Sequence, residues 1–240
     1  MPRSARSAPG GVVFHCLNRG NDRGEVFAKE GDYAAFEKVM GEVLEAVPMR
    51  MLAYCLMPNH WHLLLWPRKE GDLGRFMHRL TVTHVRRWHE HRHSTGRGHV
   101  YQGTYNPGAP GPVQEDVHFL KVARYVERNA LRANLEEHAQ DWRWSSPWRC
   151  EHGAGGEDGL LTEWPVPRPP DWLARVNRPQ SAAEEKALQR SVTRGRPFGD
   201  ADWQARTAAR LGLEKTFRPR GRPRKQPEAG ADKLGISRLK

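Results

Sequence analysis

The sequence has few cysteines and no long apolar run, and both absences narrow the class of protein. Cys16, Cys55 and Cys150 are scattered through 240 residues without a C-x-x-C pair. They form neither a disulfide framework nor a zinc ribbon, and they fit a reducing compartment. No apolar run approaches the roughly 20 residues that span a bilayer, and the first residues lack the apolar core of a secretory signal. We therefore expect a cytoplasmic protein without a membrane segment.

The motifs of three enzyme classes are also missing. The sequence contains no G-x-x-x-x-G-K-[ST], no G-x-G-x-x-G and no H-E-x-x-H. These absences argue against a nucleotide-driven motor, a dinucleotide enzyme and a metalloprotease.

Positive charge is abundant and unevenly distributed. The net charge is +11, but residues 1–171 hold 22 Lys and Arg against 21 Asp and Glu. Residues 172–240 hold 17 against 7, so nearly all of the excess lies in the last third. This asymmetry indicates a polyanionic partner, with nucleic acid favoured over an anionic membrane surface.

Apolar spacing and turn residues predict the order strand, helix, strand, strand, helix, strand, helix. The predicted strands are 12–17, 49–57, 60–66 and 99–105, and the predicted helices are 32–47, 72–91 and 114–134. This order is that of an α+β, ferredoxin-like (RRM-like) fold, in which an antiparallel sheet carries helices on one face. The third helix is additional to that plan.

Two histidines stand on the predicted strand 60–66. Side chains alternate between the faces of a strand, so His60 and His62 point the same way while Trp61 points the other way. Two neutral imidazoles on one face can share a divalent ion. Paired surface histidines also occur by chance, so the pair alone does not define a site.

The third predicted helix carries a tyrosine and an asparagine one turn apart. Its apolar stripe consists of Phe119, Val122, Ala123, Val126, Ala130 and Ala133. Tyr125 and Asn129 fall outside that stripe, beside the polar and basic residues His118, Lys121, Arg128 and Arg132. A helical tyrosine is usually a core or rim residue. In this sector it also suits a nucleophile for a phosphate, with the Asn129 oxygen available to a metal.

Together, H-x-H on a strand and Y-x-x-x-N on a later helix resemble the HUH single-strand transposases that use one tyrosine. More narrowly, residues 8–150 resemble the REP-associated tyrosine transposases. The matching motifs, in order, are PGGV at 9–12, NRG at 18–20, MPNHWH at 57–62, YQG at 101–103, RYVERNALRA at 124–133 and WRWSS at 142–146. Two departures are the neutral residues 104–108, where the family is usually basic, and Ala130, where the family has proline.

The resemblance implies a catalytic site and a substrate. His60, His62 and Asn129 would hold Mg²⁺ or Mn²⁺, and Tyr125 would be the nucleophile that forms a 5′-phosphotyrosine. The substrate would be single-stranded DNA with hairpins formed by palindromic REP-like repeats, in the bacterial nucleoid. A monomer is favoured and a dimer is possible. The expected DNA contacts in this part of the chain are Asn18, Arg19, Asn21, Lys121, Arg128 and Arg132.

Composition divides the chain into four predicted segments. Residues 1–150 form the catalytic domain, 151–171 a Gly- and Pro-rich linker, 172–217 a small basic helical module and 218–240 a basic tail. Arg220 and Arg222 flank a glycine in an AT-hook-like motif that would contact DNA. A disordered tail attracted to any phosphate is the alternative.

Two other functions remain open at this stage. The first is a domesticated protein that binds repeat DNA without turnover. The second is a ferredoxin-like RNA-binding protein, although that class presents aromatic side chains where this strand presents His60 and His62.

Overall fold

A computed structural model describes residues 8–96, 98–102, 110–153 and 159–218. The strands β1 (Val13–Arg19), β2 (Met49–Met57), β3 (His60–Pro67) and β4 (Gly111–Val113) form one antiparallel sheet in the order β2-β3-β1-β4. Helix α1 (Glu30–Ala46) joins β1 to β2, and helix α2 (Asp72–His91) follows β3. The element order and the strand order confirm the ferredoxin-like α+β fold.

Helices α1 and α2 cover one face of the sheet. Their apolar stripes meet the strand residues whose side chains alternate toward that face. Phe36 and Met40 of α1 and Phe76 of α2 pack in one buried cluster with Trp61 and Leu63 of β3. This face is a continuous apolar core, and burial of its large side chains is the main source of its stability.

The opposite face of the sheet is covered by α3 (Val117–Glu127), α4 (Asn129–Arg132), α6 (Trp172–Asn177) and α7 (Ala182–Arg194). Phe119 and Val126 of α3, Val176 of α6 and Leu188 of α7 share a second buried cluster with Leu64 of β3. Helices from the C-terminal region therefore pack on the same sheet as the catalytic-domain elements. The division of the chain into domains stays a prediction.

The structure corrects two elements. The fourth strand of the sheet is Gly111–Val113, whereas residues 99–102 of the predicted strand 99–105 form a single bridge, from Tyr101 to Gly20. Residues 103–105 lie outside the described residues. The turn-forming glycine and prolines of 107–112 concealed a short edge strand, where proline is tolerated. The predicted helix 114–134 is interrupted at Arg128, where ψ is 0°, well away from the helical value near −42°.

The remaining helices are α5 (Ser146–Glu151) and α8 (Ala201–Leu211). Helices α6, α7 and α8 lie within residues 172–217, the segment in which the sequence predicted a small basic helical module. The Ser181 side chain accepts a hydrogen bond from the Glu184 amide at the start of α7. Gly212 ends α8 in the left-handed conformation, with φ of 65°. No helix in the described ranges is both long enough and apolar enough to cross a membrane.

Candidate active site

Strand β3 presents two histidines on the face that α3 covers. His60 and His62 are two residues apart on β3, and their ring centroids are 5.2 Å apart. His62 is buried between the neighbouring strands, where it pairs with Leu17 of β1 and Cys55 of β2. His60 lies at the end of the strand and is partly accessible. The two predicted histidines therefore share one face of β3, with His62 buried and His60 more accessible to solvent.

Each histidine has one ring nitrogen held by a neighbour. His60 Nδ1 lies 2.6 Å from Asn59 Oδ1, and His62 Nδ1 lies 2.8 Å from Nε2 of His15. Nε2 is thus the nitrogen of each ring that remains for another ligand. Burial lowers the pKa of His60 to about 4 and lowers the pKa of His62 well below its usual value. Both imidazoles are therefore neutral at pH 7, which is the protonation state that binds metals.

Tyr125 lies directly against His62, the buried member of this pair. Its ring meets that of His62 edge-on, with centroids 5.7 Å apart, and the ring of His15 at 5.9 Å. Asn129 follows one turn later, and its Nδ2 donates to the Tyr125 carbonyl at 3.0 Å. The structure therefore brings together the four residues singled out in the sequence.

The placement of Tyr125 and Asn129 outside the packing face was wrong. They are 3% and 1% exposed, respectively, and the Tyr125 ring faces the sheet, where it contacts His62 and His15. Gln189 of α7 makes a side-chain hydrogen bond to Tyr125. Arg128 donates to the carbonyls of α6 at 3.0 and 2.7 Å. Helical periodicity could not reveal this packing, since the covering helices lie about 50 residues later in the chain.

Arg132 connects the site residues. Its guanidinium donates to Asn129 Oδ1 at 2.6 Å and lies 4.6 Å from the centre of the Tyr125 ring. Burial raises the pKa of the Tyr125 hydroxyl, and the positive charge of Arg132 opposes that rise. The same charge contributes to the lowered pKa values of His60 and His62. Arg132 is thus a cation at the centre of the site.

The donor set fits a divalent ion. His60 and His62 are neutral and direct their anchored Nδ1 atoms to protein partners, as metal-binding histidines commonly do. The third expected ligand, Asn129 Oδ1, accepts a hydrogen bond from Arg132. An amide oxygen has two lone pairs, so this hydrogen bond leaves one of them for an ion. Imidazole and amide ligands suit Mn²⁺ as well as Mg²⁺.

The other expected DNA contacts have different surroundings. Arg19 stands opposite His60 in the β1–β3 register, and its Nε is buried without a hydrogen-bond partner in the described part of the chain. Asn18 is 8% exposed, and its Oδ1 accepts from the Arg19 amide, whereas Asn21 and Lys121 are exposed. Arg220 and Arg222 lie outside the described residues.

Two residues of this region were not found from the sequence. His15 is 1% exposed, and burial lowers its pKa to about 3. The signal was a single polar residue within the apolar run 12–17, on the same strand face as Val13 and Leu17. Gln189 gave no such signal, because its position depends on how α7 packs.

Comparison with known sequences identifies the family. Residues 11–129 match the family described as IS200-like transposases, over a segment that ends at Asn129. Residues 11–129 of the chain belong to the IS200-like transposase family. The matched segment includes all four residues of the candidate site, whereas α5 to α8 follow it.

One solved structure is also similar to this transposase. A REP-associated tyrosine transposase bound to a REP hairpin is 16% identical, with 68% of this chain and 94% of that chain covered and a TM-score of 0.46. No curated protein matches the sequence.

Proposed function

We propose that this transposase is a metal-dependent single-stranded DNA endonuclease and strand transferase of the REP-associated branch. The observation that carries the proposal is the contact between the Tyr125 and His62 rings, 5.7 Å apart, within the segment that matches the family. This contact supports the proposal because a phenol hydroxyl can attack a phosphate, and His62 is one of two neutral imidazoles on this strand that can bind a divalent ion.

The reaction is a transesterification. The Tyr125 Oη attacks the scissile phosphorus, the bond from phosphorus to the 3′ oxygen breaks, and the 5′ phosphate stays on the tyrosine. The phenolic proton is lost and the departing 3′ oxygen gains one, so no water is consumed. A 3′ hydroxyl of another strand reverses the step and joins the two strands, without ATP.

The side chains have separate tasks in this reaction. His60, His62 and Asn129 would hold Mg²⁺ or Mn²⁺, which would supply Lewis-acid stabilisation of the phosphate charge. Arg132 lies over the Tyr125 ring and favours the phenolate, because its charge opposes the effect of burial on the Tyr125 pKa.

DNA hairpins with REP-like repeats are the proposed substrate. The exposed turn after β1, which contains Asn21, and the cation Arg19 at the end of β1 border the His60 end of the site. Arg19 has donor capacity that the described residues do not satisfy, which suits a phosphate contact. A monomer is proposed, because the site is assembled from one chain.

One observation favours a second function, the binding of repeat DNA without turnover. Tyr125 is 3% exposed, and a tyrosine covered by α7 cannot reach a phosphodiester until that helix moves. If α7 never moves, the exposed turn and Arg19 still bind the hairpin, but no strand is cut.

The deciding experiment is a covalent-adduct assay on a denaturing gel. Labelled single-stranded hairpin DNA from repeats flanking the gene is mixed with the protein and Mn²⁺ or Mg²⁺. Tyr125→Phe, His62→Ala and EDTA should each abolish the slow-migrating adduct. Tyr33→Phe is the matched control, because Tyr33 is a buried tyrosine on the opposite face of the sheet.

An adduct that survives in Tyr125→Phe would show that another residue is the nucleophile. Tight hairpin binding with neither nick nor adduct in either metal would replace the transposase proposal with the binding function. RNA hairpins that compete as well as DNA hairpins would favour the RNA-binding alternative.

A further inference from the structure

A histidine outside the expected ligand set is hydrogen-bonded to the buried member of the pair. His15 on β1 places its Nε2 2.8 Å from Nδ1 of His62 on β3, and the two ring centroids are 5.0 Å apart. The strands are adjacent and antiparallel, with Leu17 opposite His62, so His15 is its diagonal neighbour on the same face. Side chains in this relation are within contact distance.

The direction of this hydrogen bond decides whether His62 can bind an ion. Both rings are buried, at 1% and 2% exposure, so each is a neutral imidazole with one N–H and one lone pair. If His15 donated, His62 would carry its proton on Nε2 and would have no lone pair to offer there. If His62 donates from Nδ1, its Nε2 keeps the lone pair that a metal needs.

We propose that His15 is a positioning residue for His62: its Nε2 accepts the Nδ1–H of His62 and holds that ring in the tautomer and orientation that leave Nε2 free to bind a divalent ion. The inference rests on the proposed function, because it gives His15 a purpose only if His62 binds the ion.

The surroundings of the second His15 nitrogen support this assignment. His15 Nδ1 is buried and has no hydrogen-bond partner among the described residues. No neighbouring acceptor or donor therefore fixes the His15 tautomer, so the proton of this ring follows what His62 requires. A buried polar atom without a partner is destabilising, so the unpaired His15 Nδ1 lowers the stability of the fold and does not explain the ring at this position.

The structural alternative is that His15 merely fills space between the sheet and α3. Two substitutions separate these roles. His15→Phe keeps a ring of similar shape but has no acceptor, and His15→Gln offers an amide oxygen near the position of Nε2. His84→Phe is the matched control, because His84 is equally buried, at 4% exposure, and bonds Tyr101 on the other face of the sheet.

The first measurement is the affinity for Mn²⁺ alone, from electron paramagnetic resonance of the free ion. We expect His15→Phe to weaken binding about 10- to 100-fold, as is typical when the partner of a metal-binding histidine is lost. His15→Gln should stay within a few fold of the parent protein, and His84→Phe should bind as the parent does. Equal affinity in His15→Phe and the parent would overturn the inference, as would equal losses in His15→Phe and His15→Gln.

The second measurement is the tautomer of His62, from ¹⁵N chemical shifts of the full-length protein in Mg²⁺. In the parent protein we expect the His62 proton on Nδ1, and in His15→Phe we expect it to be shared between Nδ1 and Nε2. A proton on Nε2 in the parent protein would overturn the inference. Failure of the proposed function looks different. In that case the parent protein and His62→Ala bind Mn²⁺ with equal affinity, and the role proposed for His15 is rejected together with the proposed function.

Discussion

Arg132 is the side chain through which the tyrosine and the asparagine of the site are linked. It bonds Asn129 Oδ1 and lies over the Tyr125 ring, and its charge acts on both histidines. The sequence suggested a DNA contact at this position. In the structure the guanidinium lies beside Asn129 and Tyr125, where its charge opposes the rise that burial causes in the Tyr125 pKa.

Removal of this charge should slow cleavage and change its pH dependence. Burial already raises the pKa of Tyr125, and Arg132→Gln should raise it further, because the nearest cation is lost. We expect the cleavage rate at pH 7.5 to fall at least about tenfold and the rising limb of the pH–rate profile to move to higher pH. Arg132→Lys keeps the charge, so its cleavage rate and its pH–rate profile should lie between those of the parent protein and those of Arg132→Gln. An unchanged profile in Arg132→Gln would show that Arg132 does not act on the tyrosine.

The buried histidines make the stability of the protein depend on pH. Burial lowers the pKa of His15 and His84 to about 3 and that of His62 well below 6.5, so the folded state keeps all three neutral. In the unfolded chain they take up protons below about pH 6.5, so this stability is present at neutral pH and is lost as the pH falls.

Urea unfolding at a series of pH values measures this loss. The three fully buried histidines alone should lower the free energy of unfolding by about 4 kcal/mol per pH unit between pH 5.5 and 4.5, at about 1.4 kcal/mol for each proton, and His60, whose pKa is lowered to about 4, adds to this loss. His84→Gln should reduce the slope by about 1.4 kcal/mol per pH unit. A stability that stays constant from pH 6.5 to 4.5 would contradict the burial of these rings.

At the scale of elements, the interruption between α3 and α4 has a structural use. It falls at Arg128, whose guanidinium donates to the carbonyls of Val176 and Asn177, the last two residues of α6. Carbonyls at the end of a helix have no partner within the helix and need one from elsewhere. Arg128 therefore fastens α6 to the helix that carries Tyr125.

Substitution of Arg128 separates this role from a DNA contact. Arg128→Met should lower the free energy of unfolding by about 1–3 kcal/mol, because it leaves helix-terminal carbonyls unpaired. Hairpin affinity, measured on the folded protein by fluorescence anisotropy, should change less than in Arg19→Ala. Lys121→Met, an exposed change on the same helix, should leave stability unaltered. If Arg128→Met kept full stability but lost much of its hairpin affinity, Arg128 would be a DNA contact, as the sequence suggested.

The sequence predicted the elements whose signals are local. Strand 49–57 and helix 72–91 have the observed bounds, and the pair His60 and His62 followed from strand alternation. The short strand Gly111–Val113 could not be predicted, since its pairing with β1 decides it more than its own residues do. The burial of Tyr125 and the bond from His15 depend on contacts between segments about 50 residues apart in the chain.

At the scale of the whole molecule, the two faces of the sheet differ in the side chains that they bury. The face under α1 and α2 holds large apolar side chains, whereas the other face holds the histidines, Tyr125 and Asn129 beneath α3 and α7. Access to the tyrosine is then a question of whether α7 leaves the sheet.

A reversible crosslink tests this requirement. A Cβ placed at Gly111 of β4 would lie 2.6 Å from Ser191 Oγ of α7, so the two Cβ atoms are at most about 4 Å apart, within the range of a disulfide. Gly111→Cys with Ser191→Cys, in a Cys150→Ser background, should lose adduct formation at least about tenfold when oxidised and regain it in dithiothreitol. Each single cysteine variant is the control. Equal activity in the oxidised and reduced forms would show that α7 need not move.

Because α7 lies late in the chain, there is an interval during synthesis in which Tyr125 exists and α7 does not. Tyr125 is synthesised 57 residues before Ala182, the first residue of α7. At bacterial and eukaryotic elongation rates of roughly 5–20 residues per second, this gap lasts several seconds. During that interval the sheet, α3 and the paired histidines have been made, while the helix that covers the tyrosine has not. On the ribosome, the nascent chain therefore passes through a state in which Tyr125 is more accessible than in the complete protein.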